Sequence, residues 1–119
     1  MGKVKPLGAG WHTVRVVLRD AWDAHAQEWI SWARAPGHDS YWQFHRDAFL
    51  PLVPPPGRLT VDIGSGEGRV GRDLARLGHR VVGVDASLTM ATAAASHPDA
   101  GGQSLLAMLP RSVGFCSVA

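Results

Sequence analysis

A small α/β fold with a parallel sheet is what this sequence predicts, and three observations carry the prediction. Residues 59–63, L-T-V-D-I, make a short strand-like apolar run interrupted by one acid, Asp62. The run breaks into G-S-G-E-G, which places Gly64, Gly66 and Gly68 in a tight turn before a helix-period segment. A second apolar run, Val81 to Val84, ends in a second acid, Asp85. Strand, glycine turn, helix and strand in this order form one βαβ unit, with its polar groups gathered at the carboxyl end of the sheet.

The remaining elements follow from local pattern. Thr13 to Leu18 reads as a short strand by its β-branched content. From Asp20 the pattern becomes helical, with Trp22, Ala26, Trp29 and Ala33 on one apolar stripe, until Ala35-Pro36-Gly37 stops it. Ser40 then caps a second helix, with Gln43 completing a capping box. Tyr41, Phe44, Ala48 and Leu52 share one face of that helix, and Pro54-Pro55-Pro56-Gly57 stiffens the link to the first strand. After the glycine turn a helix spans Glu67 to Leu77, with Val70, Leu74 and Leu77 inward and Gly78 as a left-handed cap. Ser87 caps a further helix, Leu88 to Ser96, and Gln103 to Met108 reads as a third strand. The last segment shows no clear period.

Composition bounds the function. With 119 residues the chain has room for one small domain. Its 45% hydrophobic and 18% charged content is ordinary for a globular protein, and a formal charge of +2 does not call for nucleic acid or an anionic membrane. The lone Cys116 forms no internal disulfide, and no apolar run is long enough to span a bilayer, so a cytoplasmic setting is expected. His38 and His45 lack the cysteine or carboxylate company of a metal site, and no metal is expected.

The βαβ unit suits an adenosine-containing ligand. Helix N-terminal amides face the turn, and absent Cβ atoms let a ligand approach the backbone. An acid about twenty residues on, here Asp85, reaches a ribose diol. Two registers compete. Gly66-x-Gly68-x-x-Gly71 fits a dinucleotide loop, whereas Asp62-x-Gly64-x-Gly66-x-Gly68 fits a different one. Asp62 favours the second, because a carboxylate at that point repels a pyrophosphate and attracts an ammonium or sulfonium.

V-D-I-G-S-G-E-G-R-V-G-R-D-L-A followed by G-H-R-V-V-G-V-D-A-S resembles the first two motifs of class I S-adenosylmethionine-dependent methyltransferases, nearest to the methyltransferase type 11 kind. The upstream W-x-x-W-A-R-A-P-G-H-D-S-Y-W-Q-F-H-R resembles the helical lead-in of some bacterial members. The resemblance implies a Rossmann-like doubly wound sheet, truncated after about three strands. Residues 1–56 would form a helical lead-in or lid, 57–107 the cofactor-binding half-domain, and 108–119 an atypical tail. It also implies that Gly64, Ser65, Gly66 and Gly68 line the methionine and ribose part of S-adenosylmethionine. Asp62 would hold the amino group, Asp85 the ribose hydroxyls, and Ala86 the adenine side. The acceptor would be a small molecule. No catalytic base is assigned, since methyl transfer from a sulfonium rests on alignment.

The chain departs from the family after Ala107. Where an Asp-Ala pair is usual, it reads Ala107-Met108-Leu109-Pro110, which the loss of one base from the gene would produce. With only the first strands present, the first strand is expected at an exposed edge, self-association through that edge is expected, and the chain alone is expected to be inactive. Two other functions compete: a nicotinamide- or flavin-dependent oxidoreductase fragment, and a non-catalytic cofactor-binding or assembly module. The simplest assignment for Arg69, Arg72, Asp73 and Arg76 is a solvated helix face. For Trp22, Trp29 and Trp32 it is helix packing, and for Tyr41 and Trp42 core packing rather than reach into a cofactor pocket.

Overall fold

The computed structural model describes residues 18–101 and the backbone of 103–108 and 115–118. The lead-in opens with helical residues 18–24 (α1) and, after a turn at His25, α2 over Ala26–Arg34. Leu18 is therefore helical rather than the end of a strand, and residues 13–17 lie outside the described residues. The predicted stripe is partly inward: Ala26 and Ala33 are buried and Trp29 half-buried, while Trp22 stays exposed. Ala26 and Ile30 pack with Met90 as a small core. Ala35 turns extended ahead of Pro36, as proline demands of its predecessor.

The second lead-in segment is capped one residue earlier than predicted. Ser40 already has helical dihedrals and makes no side-chain cap. Asp39 takes its place, its Oδ1 accepting the Tyr41 N–H at 3.0 Å, and the Gln43 amide donates to the Gly37 carbonyl instead of closing a capping box. The helix changes pitch twice, from a π turn at Tyr41–His45, through α3 at Arg46–Phe49, to a 3-10 turn at Leu50–Leu52 that ends at the prolines. Those changes rotate the predicted apolar face apart. Tyr41 is buried, but Phe44 is 70% and Leu52 80% exposed.

The sheet holds β1 (Thr60–Ile63), β2 (Val81–Asp85), β3 (Gln103–Met108) and β4 (Phe115–Val118), in the order β1-β2-β3-β4. The first three are parallel, as the βαβ reading requires. The fourth, unforeseen, comes from the tail and runs antiparallel to β3, from Leu105 opposite Val118 to Met108 opposite Phe115. The sheet thus has one strand more than expected. A short segment can join an existing edge through backbone bonds alone, which leaves little trace in side-chain pattern.

Between β1 and β2 lies α4, Arg69–Arg76, and after β2 comes α5, Leu88–Ala95. Helix α4 starts two residues later than predicted because Gly68 sits in the left-handed region, φ 87°. It stops one residue sooner than predicted, at Arg76, but the glycine cap is as predicted. Gly78 at φ 92° donates to the Ala75 carbonyl and His79 to that of Leu74, a Schellman closure. Leu74 is buried and Val70 half-buried, but Leu77 lies past the helix end and is exposed. The solvated charged face is overturned: Arg72 and Asp73 are 5% and 1% exposed. Ser87 caps α5 as predicted, its hydroxyl accepting the Met90 N–H at 3.2 Å.

Strand β1 forms one edge of the described sheet, pairing only with β2. Val61 and Ile63 lie opposite Val82 and Val84 and share one face with them by the period of two. Ile63 is 84% exposed.

Candidate functional site

The carboxyl ends of β1 and β2 open onto a cleft of about 570 Å³. Asp62, Gly64, Ser65, Gly66, Asp85 and Ala86 all border it. Gly68 does not. A Cβ there would come within 2.9 Å of the Ala94 Cβ, so this glycine lets the turn pack against α5. At Gly64 and Gly66, which also have positive φ, a Cβ would meet nothing within 4 Å. Those two positions face open space, where a ligand can approach the backbone.

The two acids have different surroundings. Asp85 is already in use: Oδ2 accepts the Gly66 N–H at 2.8 Å and Oδ1 the Ser87 N–H at 2.9 Å. It holds the glycine turn against the start of α5, and each oxygen keeps a further lone pair. Asp62 has no such support. Its Oδ2 is buried without a partner, as is the Ser65 hydroxyl. Burial, reinforced by the nearby Asp85 charge, pushes the Asp62 carboxyl above the usual carboxylate range. An orphaned buried acceptor is costly to keep and is expected where a ligand supplies the donor.

The turn is braced from behind by ion pairs that sequence reasoning missed. Glu67, 3% exposed, accepts from Arg72 through both oxygens, at 3.0 and 2.8 Å, and from Arg34 of α2 at 3.0 Å. Arg34 also donates to the Ala93 carbonyl of α5 at 2.9 Å. Asp73 accepts from the Tyr41 hydroxyl at 2.8 Å and from Arg46 and Arg76 at 2.9 Å each. Burial alone would raise the Asp73 pKa, but these donors hold it below the usual value, and desolvation, with the same bond to Asp73, pushes the Tyr41 phenol up. Arg69 pairs with Asp39 and lies over the rings of Trp29 and Tyr41 at 5.6 and 5.1 Å. The pairs Arg34–Glu67, Arg46–Asp73 and Asp39–Arg69 join the lead-in to α4 or the turn before it.

The lead-in also supplies the cleft's outer wall. Leu18, Arg19, Trp22 and Trp29 border it, with Met90 of α5. Trp22 and Trp29 therefore do more than pack helices, and Trp22 at a stripe position just before the turn at His25 was the available signal. Tyr41 lies away from this cleft, bordering an apolar depression with His45, Phe49 and Leu52. Trp42 borders a separate pocket with Arg34 and Arg72. Among the described residues no group of three His, Cys, Asp or Glu side chains is placed to hold a metal, and no helix is long and apolar enough to cross a membrane.

Comparison with known proteins gives part of the chain a family resemblance. Residues 61–111 match the family model described as a methyltransferase domain, a stretch that covers β1 from Val61 on, the glycine turn, both acids and β3. The match takes in less than half of the chain. The resemblance read from the two motifs holds on that match, which continues to residue 111. Among solved structures, a TehB-like S-adenosylmethionine-dependent methyltransferase from Corynebacterium glutamicum is 26% identical, with a TM-score of 0.49. That match covers 79% of this chain and 45% of the other, so the chain spans less than half the length of that methyltransferase. No curated protein matches the sequence.

Proposed function

We propose that the cleft binds S-adenosylmethionine and serves methyl transfer to a small-molecule acceptor. The carrying observation is the unpartnered Asp62 carboxylate oxygen, buried beside a glycine turn whose Gly64 and Gly66 face open space. The residues present fit the cofactor. Asp62 would accept from its cationic amino group, and the Ser65 hydroxyl, equally unpartnered, would meet a polar neighbour. Asp85 would take the ribose hydroxyls on the lone pairs that Gly66 and Ser87 leave free. Ala86, next along the chain, would border the adenine. When bound, the cofactor supplies a methyl group already activated by its sulfonium. The chain's task is then to bind, orient and exclude water, and no side chain is needed as a base for that. The family match supports methyl transfer in general, and the lone Cys116 suits a reducing cytoplasm.

Calorimetry on the whole chain tests this. S-adenosylmethionine and S-adenosylhomocysteine should bind, and a nicotinamide dinucleotide should not. Asp62→Asn should weaken both by about 10- to 100-fold, the usual worth of a hydrogen bond to a charged group. Absence of binding by either methyl-donor species, or a preference for the dinucleotide, overturns the proposal.

A further inference from the structure

Trp22 is the large aromatic of the cleft wall that its neighbours leave most open. Its indole is held edge-on by Trp29, centroids 6.2 Å apart at 83°. Trp29 in turn is stacked on Trp32 at 5.1 Å, with Arg69 over its ring. Trp29 therefore has both its orientation and its ring face taken up by protein, whereas Trp22 is 55% exposed. One helical turn earlier Leu18, 57% exposed, borders the same cleft. Two large apolar side chains at i and i+4, left in water on the wall facing a glycine turn, lack the burial that usually keeps such residues.

The neighbouring residue fixes where along the cleft Trp22 lies. Asp23 accepts the Ser87 hydroxyl at 2.5 Å and the Thr89 N–H at 3.3 Å, so α1 is pinned to the start of α5. The Ser87 bond holds the Asp23 carboxyl below its usual range and ionised. Ser87 is two residues beyond Asp85 and donates its N–H to that acid. The helix that carries Trp22 is thereby pinned next to the segment that follows Asp85 and Ala86.

We infer that Trp22 is a ligand-contacting residue whose indole packs on the planar base of a bound nucleoside, with Leu18 covering its rim. The inference rests on the nucleoside reading of the site and adds the base-side wall, which comes from the lead-in and not from the βαβ unit. A purine has two π faces and little charge, and a flat indole matches it without hydrogen-bond demands.

Tryptophan emission and calorimetry on the whole chain decide it, with S-adenosylhomocysteine and adenosine as probes. Trp22→Ala should weaken both probes by a similar factor, about 5- to 100-fold, the range found when aromatic platforms for bases are truncated. Trp22→Phe keeps an aromatic face and should bind within about threefold of wild type, while losing most of the ligand-induced emission change. Trp32→Phe, outside the cleft, should retain that change. If wild type binds neither probe, the nucleoside reading falls and this inference with it. If wild type binds but Trp22→Ala binds equally well, the reading stands and the inference is overturned. Should Trp22→Ala lose helical signal, the Trp22→Phe emission result decides, and an unchanged ligand response in that variant refutes the contact.

Discussion

Asp62 is asked to do two conflicting things. Under the proposed function it must be charged to attract a cationic ligand, yet it sits buried, without a donor on Oδ2, near the charge of Asp85. Its pKa is raised in the folded chain, so its contribution to stability is greatest at low pH and is lost as pH rises through the folded value. Binding runs the other way, because only the ionised form pairs with an ammonium. Affinity for S-adenosylhomocysteine should therefore fall on acidification, beginning above the ordinary aspartate range near about pH 4. Asp62→Asn should flatten that pH dependence and raise the melting temperature of the ligand-free chain by a few degrees while weakening binding. Calorimetric titrations across pH, with thermal melts of both proteins, check the paired outcome. A variant that loses stability and affinity together would place Asp62 in the framework instead.

At the scale of elements, α4 is the centre of the molecule's polar economy. One of its faces carries Arg72 and Asp73 into the interior, where the lead-in supplies their surroundings. Asp73 gathers a phenol from the π turn and guanidinium groups from α3 and from its own helix. Removing the acid strands those donors, although Arg46 and Arg76 keep 35% and 50% of their side chains in water and so recover part of the loss. Asp73→Ala should cost about 3 kcal/mol, the low end for breaking a buried ion pair, measured by urea unfolding. Because the Asp73 pKa is depressed in the folded state, its contribution is present above the unfolded value near about 4 and disappears as pH falls through the folded one. The variant should lack that part of the acid destabilisation.

This network also marks where the sequence stops being readable. The three parallel strands, the glycine turn, the Gly78 closure and the Ser87 cap are local chemistry, written within a few residues of where they act. The acid–glycine–acid arrangement of the site was legible for the same reason. The burial of Arg72 and Asp73 was not. A helical wheel assigns charged residues to water, and what reverses the assignment lies 27 to 33 residues upstream, at Tyr41 and Arg46 for Asp73 and at Arg34 for Glu67. Trp22 was read as packing because a stripe position tells which side of a helix is apolar, not whether protein or ligand covers it.

For the whole molecule the sheet's β1 edge sets the behaviour. Strand β1 pairs on one side only among the described residues, and Val61 and Ile63 project from the exposed face of that edge. Unpaired backbone groups beside exposed aliphatics favour pairing with another chain. The isolated chain should associate with itself at micromolar concentration, as seen by size exclusion with light scattering. Ile63→Lys, which puts a charge on the edge, should shift it towards monomer. A wild-type chain that is monomeric at all concentrations would show the edge to be protected.

The unequal exposure of the two arginines on Glu67 has its own consequence. Arg72 is 6% exposed at the side chain and Arg34 35%, so the acid keeps its inner partner when the outer one lets go. Detaching α2 from the turn never leaves a naked buried charge, and its cost stays near that of a partly solvated contact. The chain is therefore built to come apart in stages. The lead-in should open ahead of the sheet, with amides of α2 exchanging with solvent before those of β2. Entry to the cleft would then be governed by a sub-global opening with its own equilibrium constant, separate from global unfolding.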